Sequence, residues 1–156
     1  MTRLLGIDLG ERRVGLALGD LDGSAARPLA TIRRAASLDA DAAALQAIVS
    51  RYDVDELVVG LPLEAVGAEG PQSTRTRAWA AAVAERLGLA VTLRDERLTS
   101  YLAEARLGPM KRGRSGGPPS KTQRDAYRAR VDREAATIIL QDELDARAAA
   151  GSEAAR

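Results

Sequence analysis

The chain of 156 residues contains no cysteine, no histidine and no phenylalanine. The absence of cysteine excludes disulfides and thiolate chemistry, and the absence of histidine excludes imidazole as an acid, a base or a metal ligand. Any bound metal must therefore be held by oxygen atoms, which favours magnesium or manganese over zinc. Aromatic residues make up 3% of the chain, so the core has to be built from leucine, valine, isoleucine and alanine.

The sequence also lacks a long apolar run and a signal-peptide pattern, so we expect a cytoplasmic protein without a membrane partner. Apolar residues amount to 46% and charged residues to 29%, values typical of a globular protein. A chain of this length favours one domain with a real core. We expect that domain to span residues 1–145, and we expect residues 146–156 to form a frayed tail because nothing in their pattern anchors them.

The spacing of apolar residues predicts an α/β fold. Strands are expected at residues 4–9, 14–19, 28–32, 56–60 and 90–93. A helix is expected at 38–52 with Ser37 as its N-cap, and another at about 73–87 with Ser73 or Thr74 as N-cap. A third helix would end at about residue 107 with Thr99 or Ser100 as its N-cap, and a fourth would run from about 124 or 130 to 144. Strand–helix–strand units imply parallel strands, so the elements predict a five-stranded mixed sheet with helices on both faces.

Acidic residues occur at matching places in this predicted sheet. Asp8 lies in an apolar strand beside glycines, where an unpaired carboxylate is costly. Asp95 and Glu96 follow the last strand, and Asp132 lies on the last helix. Because ligands collect at the carboxyl ends of parallel strands, these acids can converge on one or two divalent cations that hydrolyse a phosphodiester.

Each acid also has a simpler interpretation. Asp8 could cap a turn or pair with an arginine, and Asp95 could form a salt bridge with Arg94 or Arg97. Asp132 could pair with Arg128, which lies four residues before it on the same helix. The metal-site prediction therefore depends on the acids as a set.

Positive charge is concentrated near the carboxyl end although the net charge is only +1. Residues 111–133 carry an excess of six positive charges, which predicts a phosphate-binding surface. Its alternative is an ordinary solvated surface. The glycine- and proline-rich segment 108–121 is expected to be a flexible basic loop. The candidate nucleic-acid-binding residues are Arg12, Arg75, Arg97, Lys111, Arg112, Arg114, Lys121, Arg124, Arg128 and Arg130.

Four motifs give the chain a family resemblance. They are GIDLGxRRVGLA at the start, VVGLPL in the middle, DERLT after the last strand and VDxxAAxIIL near the end. In this order they resemble the RuvX (YqgF) family of Holliday junction resolvase-like, pre-16S rRNA nucleases. The resemblance covers residues 2–145 and implies a ribonuclease H-like fold and a cytoplasmic nuclease that acts on RNA, branched DNA or both.

The resemblance also implies site residues. Asp8 matches the first catalytic acid, Glu96 with Asp95 beside it the second, and Asp132 the third, and together they would hold Mg²⁺ or Mn²⁺. In RuvC-type resolvases the second acid ends the fourth strand, where this chain has Gly60. The segment after Leu63 and the basic loop also depart from the family pattern.

Two other function classes compete with the nuclease. GIDLG also resembles the first phosphate motif of actin-like and sugar-kinase ATPases, although those proteins need two such domains. A nucleic-acid-binding module without catalysis, such as a ribosome-assembly or transcription factor, would need only the basic surface. The oligomeric state stays open between a monomer and a homodimer, and a junction resolvase would need two sites related by a twofold axis.

Overall fold

The computed structural model describes residues 2–63, 69–96 and 99–154. Its elements in chain order are β1 (Arg3–Leu9), β2 (Arg13–Asp20), β3 (Arg27–Arg33), α1 (Leu38–Tyr52), β4 (Glu56–Leu61), α2 (Pro71–Leu87), β5 (Ala90–Asp95), α3 (Thr99–Leu107) and α4 (Lys121–Ala154). The sheet has five strands in the order β3-β2-β1-β4-β5. β1 pairs antiparallel with β2 and parallel with β4, so the prediction of a mixed five-stranded sheet is confirmed.

Helices cover both faces of this sheet. On one face, branched side chains of β1, β2 and β4, such as Leu5 and Ile7, pack against α1 and α2 through Leu45, Trp79 and Val83. On the other face α4 lies over a smaller apolar cluster that the sheet supplies through Leu4, Ala17 and Val58. Because side chains alternate along a strand, the two clusters come from alternate residues of the same strands.

Glycines bring α4 unusually close to the sheet. A Cβ atom added to Gly6 would lie 2.7 Å from Leu140 Cβ, and one added to Gly15 would lie 2.0 Å from the carbonyl oxygen of Asp132. The helix therefore rests on the backbone of β1 and β2 where those glycines lack a side chain. This close approach places Asp132 at the end of β1 that carries Asp8.

Local signals account for the helix boundaries, including three that differ from the predictions. Helix α1 matches its predicted bounds, and Ser37 Oγ accepts from Ala40 N at 3.1 Å. Helix α2 begins at Pro71 with Gly70 as its N-cap, so neither Ser73 nor Thr74 is the cap. The buried Ser73 hydroxyl instead donates a hydrogen bond to the Pro62 carbonyl, which ties α2 to the end of β4.

Helix α4 is longer at both ends than its pattern predicts. Ser120 N donates to Gln123 Oε1 at 2.7 Å and Gln123 N donates to Ser120 Oγ at 3.1 Å, a reciprocal cap of the capping-box type that starts the helix at Lys121. The residues expected to fray are helical to Ala154, and the last of them are exposed. Their alanine content favours helix without tertiary support.

The basic connection before α4, expected to be flexible, is folded back on that helix. Tyr127 Oη donates to the Gly108 carbonyl at 2.8 Å, and Gln123 Nε2 donates to the Arg112 carbonyl at 3.1 Å. Within the described part of the chain, none of the helices combines the length and apolar character that crossing a bilayer requires.

Candidate active site

Asp8 lies near the end of β1, on the side of the sheet that faces α4. Its cross-strand neighbour in β2 is Gly15. On its other side, Ile7 pairs with Val59 of β4, and the residue after Val59 is Gly60. Asp8 is partly buried. The space that a Gly15 side chain would fill is taken by the backbone of Asp132, and the space beside Gly60 is taken by the side chains of Glu96 and Ile139. The glycines therefore allow α4 and Glu96 to approach the strands beside Asp8 closely.

Glu96 approaches the Asp8 carboxylate from the end of β5. Its backbone N–H donates to the Leu61 carbonyl at 3.2 Å, and its own carbonyl accepts from Thr99 N at the start of α3. A Cβ atom on Gly60 would lie 2.7 Å from Glu96 Oε2, so the Glu96 carboxylate occupies the space above the end of β4. Its carboxyl group hydrogen-bonds that of Asp8.

The two carboxyl groups perturb one another. Burial, followed by the charge of Asp8, raises the pKa of Glu96 to about 9. Burial, followed by the charge of Asp132, raises the pKa of Asp8 to about 6. Two carboxylates that share a partly dry site cannot both ionise freely, so the pair retains a proton at neutral pH unless a cation compensates the charge.

Asp132 approaches this pair from α4 and forms an ion pair with Arg13. Arg13 Nε donates to Asp132 Oδ2 at 2.6 Å, and the side chains are 28% and 21% exposed, respectively. Among the described residues, no three carboxylates come together as a complete metal-holding group. The acids expected to converge thus form a hydrogen-bonded pair, with a third carboxylate nearby that Arg13 neutralises.

Arg13 is a site residue that sequence analysis missed. The simpler interpretation of Asp132 expected Arg128 as its partner, whereas the ion pair joins residues 119 positions apart in the chain. Spacing along one helix reveals neighbours three or four residues apart, but it carries no information about a strand packed beneath that helix. Only the double arginine of the first motif could have drawn attention to Arg13.

A buried carboxylate supports the turn after β1 from the opposite side. Asp41 of α1 accepts from Arg34 Nε at 3.1 Å, from Ala35 N at 2.7 Å and from Trp79 Nε1 at 3.2 Å. Arg34 Nη1 in turn donates to the Gly10 carbonyl at 2.9 Å. These hydrogen bonds connect α1 and α2 to the glycine two residues after Asp8, and they help to hold that turn in place.

The other predicted residues lie in several separate places. Asp95 is exposed at the end of β5, and its charge is a minor cause of the raised pKa of Glu96. Arg97 lies outside the described residues. Arg128 lines a small cleft with Asp132 and Arg13. Exposed positions near the turn after β1 are held by Arg12, Arg75 and Lys121.

The remaining basic residues lie on the connection before α4 and on its first turns. All are exposed, and they are Lys111, Arg112, Arg114, Arg124 and Arg130. Arg112 Nη1 donates to the Gly116 carbonyl and Arg124 Nη1 to the Pro119 carbonyl, so two of these guanidinium groups also brace the connection.

Comparison with known proteins finds relatives that match almost the whole chain. A protein of Anaeromyxobacter sp. (strain Fw109-5), named "Putative pre-16S rRNA nuclease", is 42% identical over 145 residues, which is 93% of this chain and 98% of that protein. A Moorella thermoacetica protein of the same name is 42% identical over 148 residues, covering 92% of this chain and 94% of the relative.

Among solved structures, Thermus thermophilus RuvC superposes with a TM-score of 0.53 at 15% identity, over 95% of this chain and 97% of that one. The same protein in complex with a Holliday junction substrate gives a TM-score of 0.52 at 17% identity, over 94% of this chain and 96% of that one. These similarities confirm the ribonuclease H-like fold. The family model described as "RuvX: Holliday junction resolvase" matches residues 2–146, and the chain belongs to this family.

Proposed function

We propose that this protein is a metal-dependent nuclease that hydrolyses phosphodiester bonds in structured nucleic acid. Its substrates would be the 5′ end of pre-16S rRNA, as the names of its relatives suggest, or branched DNA, as the family description suggests. The observation that carries the proposal is the direct pairing of the Asp8 and Glu96 carboxyl groups, with Asp132 close by. The catalytic acids would be these three residues.

The donor set fits a hard divalent cation. Asp8 and Glu96 offer adjacent carboxylate oxygens, and Mg²⁺ is commonly held by one or two carboxylates together with substrate phosphates. We therefore propose Mg²⁺ or Mn²⁺, held by Asp8 and Glu96 with Asp132 and Asp95 as further candidate ligands. Such an ion, when bound, polarises a phosphoryl oxygen and promotes ionisation of a water molecule.

The protein's own contribution is mainly positioning. Asp8 is carried by a central strand that pairs on both sides, so its carboxylate has little freedom to move. Arg13 holds one oxygen of Asp132, which orients that carboxylate and reduces its repulsion of Asp8. Pre-organised charges of this kind account for most of the catalysis in phosphoryl transfer.

A cleavage assay tests the proposal. Its substrates are a 16S-precursor RNA, a four-way DNA junction and plain single strands, each with Mg²⁺ and with Mn²⁺. We expect cleavage by the wild type that Asp8→Asn abolishes and that Asp142→Asn, which alters an exposed acid on α4, leaves unchanged. The substrate cut best would identify the biological role.

Equal cleavage by the wild type and Asp8→Asn would contradict the proposed site. Metal-independent binding without cleavage would instead favour the non-catalytic nucleic-acid-binding module, the alternative that the family match makes less attractive. If the junction is the substrate, two sites must act together, so light scattering should show a homodimer, and a monomer would favour RNA. Either substrate is consistent with action in the cytoplasm.

A further inference from the structure

A cleft of about 640 Å³ lies beside the candidate active site and is lined by five basic residues. We call it the arginine cleft, and its basic residues are Arg12, Arg13, Arg33, Arg34 and Lys121. The arginines come from the start of β2 and the end of β3, and the lysine from the first residue of α4. Three elements distant in sequence therefore supply positive charge to one concave surface.

The pairing of β2 with β3 places two of these cations directly opposite one another. Arg13 pairs with Arg33 in the antiparallel register, and Arg34 N donates to the Arg12 carbonyl at 2.8 Å. Like charges at directly opposed positions destabilise a sheet. Asp132 compensates part of the Arg13 charge, and an anion bound between the strand ends would remove the repulsion that remains.

Only part of this charge is neutralised within the protein. Arg13 is paired with Asp132 and Arg34 with Asp41. Arg12 and Arg33 are exposed, and among the residues that the structure describes neither forms an ion pair. Two acids, Glu11 and Asp125, also line the cleft. They offset part of the remaining charge of Arg12, Arg33 and Lys121, and the cleft keeps a positive excess.

Arg13 connects the arginine cleft to the acids. It lines both this cleft and the smaller one that contains Asp132 and Arg128. Its Nε atom is used by Asp132, which leaves the N–H groups of its two terminal nitrogens for a second acceptor. The planar fork of arginine suits two oxygens of a phosphate group.

We propose that the arginine cleft binds the sugar–phosphate backbone of the substrate next to the bond that is cut, with Arg33 as a main contact. The inference rests on the proposed nuclease function and adds the path of the bound nucleic acid. Its backbone would run from the acids over Arg13 toward the ends of β2 and β3. Recognition is of phosphate groups, so RNA and DNA strands should both bind.

Binding can be measured without cleavage in the full chain with a chelator present. The probes are a fluorescein-labelled 12-nucleotide RNA and a DNA of the same sequence, followed by fluorescence anisotropy at several salt concentrations. For Arg33→Gln we expect about fivefold weaker binding to both probes, as for an exposed ion pair at the strong end of its range. The slope of log affinity against log salt should fall by about 0.7, the value for one lost phosphate contact on a single strand.

Arg27→Gln is the matched control, because Arg27 is exposed at the other end of the same strand. It should bind both probes like the wild type. Equal affinities and salt slopes for Arg33→Gln and Arg27→Gln would overturn the proposal, as would a loss of RNA binding with unchanged DNA binding. Thermal melting of Arg33→Gln should show no loss of stability, since the substitution relieves repulsion from Arg13.

A second variant separates this path from the basic connection before α4. The double change of Lys111 and Arg114 to glutamine should weaken binding less than Arg33→Gln does, and the reverse order would overturn the proposal. Failure here is distinct from failure of the nuclease proposal. Metal-dependent cleavage by the wild type could persist while Arg33→Gln binds normally, which would refute the cleft alone.

Discussion

Substituting Gly15 with alanine tests the packing that brings Asp132 to the site. The added Cβ would lie 2.0 Å from the carbonyl oxygen of Asp132 and 2.3 Å from its carbonyl carbon. Both are backbone atoms of α4, so no side-chain rotation can relieve the overlap. An outward shift of the helix by about 1.4 Å would be needed to restore an ordinary contact of 3.4 Å.

Such a shift would disturb the packing of Ala136, Ile139 and Leu140 on the sheet. Overpacking a core typically costs ~1–3 kcal/mol. Because the obstacle here is backbone, we expect the free energy of unfolding to fall by about 3 kcal/mol, near the upper end of this range. That loss corresponds to a melting temperature lower by roughly 6–12 °C. Displacing the Asp132 carboxylate by about an ångström should also reduce cleavage by about 100-fold.

Thermal melting and the cleavage assay measure the two effects separately. Gly151→Ala is a suitable control, because Gly151 lies on the same helix with nothing within 4 Å of the added methyl group. This variant should cleave like the wild type, and its free energy of unfolding should rise by up to ~1 kcal/mol because alanine favours helix more than glycine. Wild-type melting and cleavage in Gly15→Ala would show that α4 does not rest on β2, and the reasoning about Asp132 would then be wrong.

Three further substitutions test the electrostatics and the backbone. Glu96 has a raised pKa in the folded protein, so the stability linked to its proton is present below about pH 4.5 and is lost as the pH rises toward 9. Glu96→Gln should therefore be more stable than the metal-free wild type at pH 8, by about 1–3 kcal/mol. The two proteins should converge near pH 4, and parallel curves of melting temperature against pH would contradict this. Asp41→Asn removes the buried charge that accepts hydrogen bonds from Arg34 and Trp79. Urea denaturation should show a free energy of unfolding lower by roughly 2–4 kcal/mol. An unchanged midpoint would exclude a structural role for this carboxylate. Gly88 ends α2 in the left-handed conformation, at a φ of 68°. Gly88→Ala should therefore lower the free energy of unfolding by about 1 kcal/mol in the same urea assay. An unchanged free energy would mean that the left-handed conformation is not needed there.

Local patterns were sufficient for most of the architecture. Apolar alternation and helical periodicity located the five strands and four helices that the structure describes, and Ser37 marked the start of α1 as predicted. The boundaries that differed depended on less local information. The start of α2 was misjudged because Ser73 bonds to β4 rather than capping its own helix. The start of α4 was missed because the cap formed by Ser120 and Gln123 lies in a stretch rich in glycine and proline.

The candidate site divides in the same way. The sequence by itself determined that any metal ligands must be oxygen atoms, that Asp8 lies in a strand beside glycines, and that Glu96 and Asp132 are the acids to consider. Composition, periodicity and motifs are properties of the chain alone. Only the tertiary structure decided that the Glu96 carboxylate lies above Gly60, that Arg13 pairs with Asp132, and that Arg13 and Arg33 face one another across two strands. Those contacts join residues tens of positions apart, and they depend on how closely α4 packs on the sheet. No local pattern records that distance, since it results from the absent side chains of glycines on neighbouring strands acting together.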